Sequence, residues 1–195
     1  MALISGTDGK TLIVSKGSNR LNIFSLGMQP PSTLVYGSKE YWVLLAEDIE
    51  SILQVPQSKE DNTNSQWRLY EQIHETVHPN AIALDTSHIL VLNGMTPKPE
   101  DDQEFNRWYA EEHIPMLSRA PGWIYSKRYK LLQTSDSDLK YAVPMYLAAH
   151  AWKSELSFQS DEYKEAVSTP WRNKVVDSVL TKERHVLDFT ISLGN

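Results

Sequence analysis

The strictest alternation in the chain lies at its end. From Glu183 to Leu193, His185, Leu187, Phe189, Ile191 and Leu193 fall on one side and Arg184, Val186, Asp188, Thr190 and Ser192 on the other, the period-two pattern of a strand with one dry face. Trp123–Leu132 alternates similarly, with Trp123, Tyr125, Tyr129 and Leu131 against Ile124, Arg128 and Leu132. Tyr141–Trp152 predicts another long strand, and His88–Asn93, closed by Gly94, a short buried one. Helical periodicity fills the gaps. Asp101 with Glu104 three residues on predicts a capping-box start. Phe105, Trp108, Tyr109, Met116 and Leu117 then share one helical face, and Ala120-Pro121-Gly122 stops it. A helical region is expected over 155–167. Thr169-Pro170 opens a further helix with proline at its first position, carrying the stripe Trp171, Val175, Val179. The order is β-α-β-β-α-β, an α+β ferredoxin-like unit. The apolar face of the last strand is expected to pack on the helices, leaving the other face for water, a partner sheet or a ligand.

The first eighty residues carry the same signals more faintly. Lys10–Lys16, Arg20–Leu26, Tyr41–Ala46 and Trp67–Ile73 predict strands, Glu47–Leu53 a short helix, and the polar run Gln57–Gln66 an exposed loop. This reads as a reduced copy of the same unit (residues 1–80) without its first long helix, beside a complete copy over 86–195.

Composition narrows the partners. A net charge of −6 argues against nucleic acid, whose phosphates need a basic face. No run of about 18 apolar residues is present, so no membrane span is expected. The start lacks the basic and apolar regions of a secretion signal. With no cysteine there is no disulfide, thiolate ligand or thiol nucleophile, which fits a cytoplasmic protein. Six Trp and nine Tyr outnumber four Phe. These side chains pair apolar area with a polar handle and suit a ligand-binding surface, though a Trp-rich core would look the same.

The candidate chemistry centres on His113, four residues after Tyr109 and two before Pro115. It falls on the apolar helical face, away from Glu111 and Glu112, and Pro115 places it near the last turn. Two readings stay open: a proton-transfer group aimed at a pocket, or a core histidine held by one carbonyl. Tyr146 and His150 share a face of one strand. His74 and His78 have the spacing of a helical metal pair but lie at a strand end, so no metal is expected. No nucleotide-binding glycine loop or hydrolase serine elbow is present.

Phe105-Asn106-Arg107-Trp108-Tyr109-Ala110-Glu111-Glu112-His113-Ile114-Pro115, then Ala120-Pro121-Gly122-Trp123 and Arg128-Tyr129, resembles the EthD-like dimeric α/β-barrel family of fungal secondary metabolism. Tyr146–Trp152 resembles its third strand, and Glu162-Tyr163-Lys164 through Thr169-Pro170-Trp171-Arg172 its second helical region. The resemblance covers the C-terminal half. It implies that two ferredoxin-like sheets close into a barrel, here as a pseudo-dimer making one domain of residues 1–195, with a homodimer of two chains left open. It also implies a cofactor-independent lyase or cyclase acting on an aromatic or polyketide-derived small molecule. The alternatives are a monooxygenase or isomerase of the same fold, a haem enzyme, and a non-catalytic binding barrel. His113 would be the general base, with a pKa near neutrality, and Tyr109, Tyr146 and His150 its catalytic companions. Trp108, Trp123, Tyr129, Arg128, Trp171 and Asp188 would contact the substrate; for Arg128 and Arg172 two roles stay open, holding a carboxylate or enolate oxygen or pairing with the many surface acids. No cofactor or metal is expected.

Overall fold

The computed structural model describes residues 11–16, 33–37, 41–46, 66–79, 88–134 and 143–193, with side chains over 68–79, 88–134 and 143–188. Eight strands appear: β1 (Thr11–Lys16), β2 (Thr33–Gly37), β3 (Tyr41–Ala46), β4 (Gln66–Val77), β5 (Ile89–Thr96), β6 (Trp123–Thr134), β7 (Tyr146–Trp152) and β8 (Thr181–Leu193). Every pairing is antiparallel, and the strands close into a barrel in the order β1-β3-β2-β8-β5-β7-β6-β4. Within it, β5 to β8 lie in the order β8-β5-β7-β6, the 4-1-3-2 arrangement of a ferredoxin-like unit. The first four strands follow the same order, β4-β1-β3-β2. Seams β4–β6 and β2–β8 join the quartets, so the sheet closes without a second chain and leaves no strand edge between them. The expected strand at 20–26, the helix at 47–53, the loop over 57–65 and the absence of a first long helix lie outside the described residues.

Helices cover one side of the C-terminal quartet. A 3-10 turn (Pro99–Asp101) runs into α1 (Asp102–Trp108), continued by a π-helical turn (Tyr109–His113) and α2 (Ile114–Leu117). The capping box is not formed, since no side chain caps the start of α1. Nor does Pro115 end the helix. The Ile114 N–H bonds the Tyr109 carbonyl five residues back, so the wide turn absorbs a residue and Pro115 enters a fresh helical turn where its missing N–H costs little. Gly122, at φ +84°, makes the turn into β6, and a Cβ there would strike the Ser157 hydroxyl. The 155–167 region divides into a 3-10 turn (Glu155–Gln159) and α3 (Asp161–Ala166), broken by extended Ser160, whose hydroxyl accepts the Tyr163 N–H. Thr169 caps α4 (Pro170–Ser178) by accepting the Arg172 N–H at 3.0 Å. The β7 strand begins later than expected, after bends at Val143 and Met145 on either side of Pro144.

Side chains on the two faces of the C-terminal sheet go to different cores. Leu90, Leu92, Tyr125, Tyr129, Leu147, Ala149, Ala151 and Leu187 cluster with Tyr70 of β4, in the barrel interior. Tyr146 and Ala148 pack on Phe105, Trp108, Tyr109, Ile114, Val175 and Val176, while Val91, Trp123 and Trp152 pack on Leu117, Ala120 and Ala166. Two expectations are corrected. The apolar face of β8 points into the barrel through Leu187, and Val186 from its other face packs beneath the helices. A register shift between Trp123 and Tyr125 turns Trp123 to the helix side, away from Tyr125 and Tyr129.

Candidate functional site

Polar groups of unusual kind collect between the helical layer and the outer face of β6 and β7. The pleat dictates which residues arrive there. Ser126 and Arg128 on β6 share one face, opposite His150 and Ala148 on β7. The π turn supplies the other wall, placing Tyr109 and His113 together on the inner side of the helix.

His113 is 6% exposed and His150 2%. Their rings meet edge to face, centroids 5.9 Å apart, while Trp108 stacks on His113 at 4.5 Å and Tyr109 abuts it at 5.4 Å. Burial lowers the His113 pKa from 6.5 to about 3, with Arg172 and Arg128 adding to the depression and a main-chain hydrogen bond at Ala166 opposing it. His150 is pushed well below its ordinary range by burial, then by His113, Arg128 and Arg184. Both imidazoles are therefore neutral at physiological pH, and the near-neutral pKa expected for His113 is corrected.

Their tautomers follow from the partners. Trp123 Nε1 donates to Ser126 Oγ at 3.0 Å, and Ser126 Oγ lies 2.7 Å from His150 Nδ1. A serine already accepting from the indole satisfies its own proton by donating to Nδ1, which leaves the His150 proton on Nε2. That Nε2 has no partner, and neither does His113 Nδ1. Neutral His113, bonded to the Ala166 main chain through its other nitrogen, presents Nδ1 as a lone pair. One buried donor and one buried acceptor thus stand unmet on adjoining rings.

Arg128 completes the group. It is 4% exposed, with its Cζ 4.1 Å above the Tyr109 ring and 5.4 and 5.5 Å from those of Phe105 and Tyr146. Burial raises the Tyr109 pKa to about 12, so the phenol stays protonated beside the guanidinium.

The other expected site residues divide clearly. Trp108 is buried; its Nε1 donates to Glu112, which also accepts from the Thr169 hydroxyl, so Glu112 ties the helix to α4 rather than being simply solvated. The Tyr146 phenol points to α1 and donates to Asp102 Oδ1 at 2.8 Å, so its tip is already engaged. Trp171 packs at the cluster's margin, with Arg107 5.3 Å over its ring. Tyr129 lies away from this cluster, facing the barrel interior while neighbouring Arg128 faces the helices. Asp188 is exposed on β8, separated from β7 by β5. Ser126, Asp102 and the Ala166 main chain were missed. Only Ser126 carried a signal, standing two residues before Arg128 on the same strand face.

No protein-family model matches the chain, and no curated protein matches its sequence. Solved structures match its fold. An anthrone oxidase-like protein superposes with a TM-score of 0.61 at 11% identity, over 95% of this chain and 93% of its own. A monooxygenase-like protein from Listeria innocua gives 0.61 at 15% identity, over 93% and 94%. A ferredoxin-fold protein from Listeria monocytogenes, described as related to antibiotic biosynthesis monooxygenases, gives 0.58 at 13% identity over 94% and 95%. Identities this low carry the fold and not the chemistry. The chain has an α+β ferredoxin-like fold, similar over nearly its whole length to the barrels of monooxygenase-like proteins.

Proposed function

We propose that this chain is a cofactor-independent enzyme of the lyase or cyclase type, moving protons on a small aromatic or polyketide-derived molecule held between the helices and the sheet. The observation that carries this is the edge-to-face pair of neutral, buried histidines with one unmet donor and one unmet acceptor. His150 Nε2–H suits a substrate carbonyl oxygen, stabilising the enolate as it forms. His113 Nδ1 suits the proton that leaves. Such a low pKa makes His113 a weak base, so the substrate must bring its own acidity, as a C–H between carbonyls or a phenol does. Trp108, Tyr109 and Phe105 give the site an aromatic wall. On this reading the first four strands are a reduced copy without a site of their own, and residues 1–195 form one pseudo-symmetric domain.

A second reading shares the first step. The similarity in fold to anthrone oxidase-like and monooxygenase-like proteins favours a cofactor-free monooxygenase. There the carbanion meets dioxygen, an activated CH2 becomes C=O, and the second oxygen leaves as water.

The test is turnover of enolisable aromatic ketones, anthrones and poly-β-ketones by the purified chain, with chelator present, in air and without oxygen. Anaerobic turnover that falls roughly 10²- to 10⁴-fold in His113→Ala supports the proton-transfer enzyme. Turnover only in air, with dioxygen consumed, assigns the second reading. Equal turnover by His113→Ala, or none by the wild type, leaves a binding barrel instead. The unbound pKa of about 3 also makes kcat/KM flat through neutrality, with no ascending limb near the ordinary histidine range.

A further inference from the structure

Arg128 is the one group of the cluster that the proton-transfer chemistry leaves unused, and its geometry is specific. A guanidinium has two faces and several in-plane edges. The Arg128 Cζ sits among the rings of Tyr109, Phe105 and Tyr146. The edge formed by Nε and Nη2 has no partner, and both atoms are buried. Those two N–H groups point the same way, in parallel, and form one of the two forks with which arginine grips a planar pair of oxygens.

Nothing among the described residues answers this fork. Asp102 lies near enough to feel the charge, but its Oδ1 accepts from Tyr146 and its Oδ2 from Asn106, and no carboxylate is ion-paired to Arg128 among the described residues. Stacking on aromatic rings offsets part of the cost of burying the cation but satisfies none of its edge N–H groups. Leaving a buried donor unmet is destabilising, and more so when the donor is charged. A lone water can accept from both N–H groups but leaves the charge uncompensated. A bidentate anion meets both.

We infer that Arg128 is the recognition point for a planar, two-oxygen anion, a carboxylate or the enolate of a 1,3-dicarbonyl, whose adjoining hydroxyl or carbonyl reaches the histidine pair. The second half follows from register. His150 sits opposite Ser126 and is therefore a diagonal neighbour of Arg128 on the same face. His150 Nε2–H and His113 Nδ1 together match a hydroxyl, accepting from one and donating to the other. The inference rests on the site proposed above and names what that site selects.

Salicylate, which carries a carboxylate beside a hydroxyl, is the first probe, with benzoylacetone titrated above its enol pKa, whose two oxygens address the fork alone, as the second. Salicylamide is the uncharged control of nearly equal shape. Binding to the full chain is read by calorimetry and by quenching of tryptophan emission. Salicylate or the enolate should bind at least 10-fold more tightly than salicylamide, and whichever of the two binds more tightly names the source of the oxygens. Arg128→Lys keeps the charge but loses the fork, and should weaken the preferred anion 10-fold or more. Equal affinity for acid and amide, a change under about threefold in Arg128→Lys, or no binding of either anion overturns the inference. Should the lysine variant fail to fold, the acid-against-amide comparison on the wild type still decides. The two proposals fail separately. Anion binding that depends on the fork, with turnover indifferent to His113, removes the enzyme alone; His113-dependent turnover with a fork indifferent to anions removes this inference alone.

Discussion

The two faces of the C-terminal sheet are almost equally buried and chemically opposite. On β7, Leu147, Ala149 and Ala151 enter the barrel, while Tyr146, Ala148, His150 and Trp152 meet the helices. On β7 the inward face is purely apolar. An eight-stranded barrel is just wide enough for side chains to fill it, and among the described residues Tyr70, Tyr125 and Tyr129 are the large groups that do so. The helix-facing side holds His113, His150 and Arg128 with nitrogens that nothing meets. Burial alone therefore does not separate the two faces; unmet polarity on the histidines and Arg128 does.

The largest expected effect tests whether the histidines are a cost to the fold. The folded pKa of His113 is about 3 against 6.5 for an ordinary histidine. Between those values the unfolded chain binds more protons than the folded one, so the stability present above pH 6.5 is lost as pH falls toward 3. At about 1.4 kcal/mol per unit the loss reaches several kcal/mol from this residue alone, and His150 shifts in the same direction. Denaturant titrations at pH 7 and pH 4 should therefore diverge steeply for the wild type. In His113→Phe the divergence should shrink while stability at pH 7 stays close to wild type. A variant with unchanged acid sensitivity would mean that His113 is not buried neutral.

The interior face should answer to volume instead. Leu147→Ala removes a fully buried side chain from between Tyr129 and its neighbours, and should cost about 2–5 kcal/mol. That loss should be the same at pH 7 and pH 5, since no histidine is among the buried residues of its cluster. Chemical denaturation at the two pH values measures it. A loss that grows on acidification would couple the two faces and break the comparison.

Periodicity is why much of this was legible from sequence. The alternation of 183–193 located β8, the apolar run 41–46 located β3, and Thr169-Pro170 located the start of α4. His113, Tyr109, Tyr146 and His150 were singled out together, and they do lie in one layer. What failed was face assignment, and for local reasons. The bulge after Trp123 inverts the parity of β6, so a strict period of two misplaces either Trp123 or Tyr129. The π turn lets the helix pass through Pro115, which a proline rule forbids. β2, only five residues long, carried too little pattern to be seen. The inward face of β8 could not be deduced from that strand alone, because the pairing that closes the barrel is made by β2, β4 and β6 from distant parts of the chain.

The smallest effect concerns Ser126, where structure and chemistry can be separated. Its hydroxyl accepts from Trp123 and lies against His150 Nδ1, wholly buried. In Ser126→Ala both partners lose it, and the expected destabilisation is about 1–2 kcal/mol, the cost of unmet groups rather than of lost volume. The more telling readout is the imidazole. In the wild type, long-range nitrogen–carbon correlation spectra should show His150 with its proton on Nε2 and a bare Nδ1, unchanged across neutral pH. Without the serine that preference loses its cause, and the ring should populate both tautomers. If His150 keeps the same tautomer in Ser126→Ala, the hydroxyl does not direct it and the unmet donor facing His113 has another origin. If the tautomer mixes and kcat falls while KM holds, Ser126 is a positioning residue that sets which nitrogen of His150 faces the substrate.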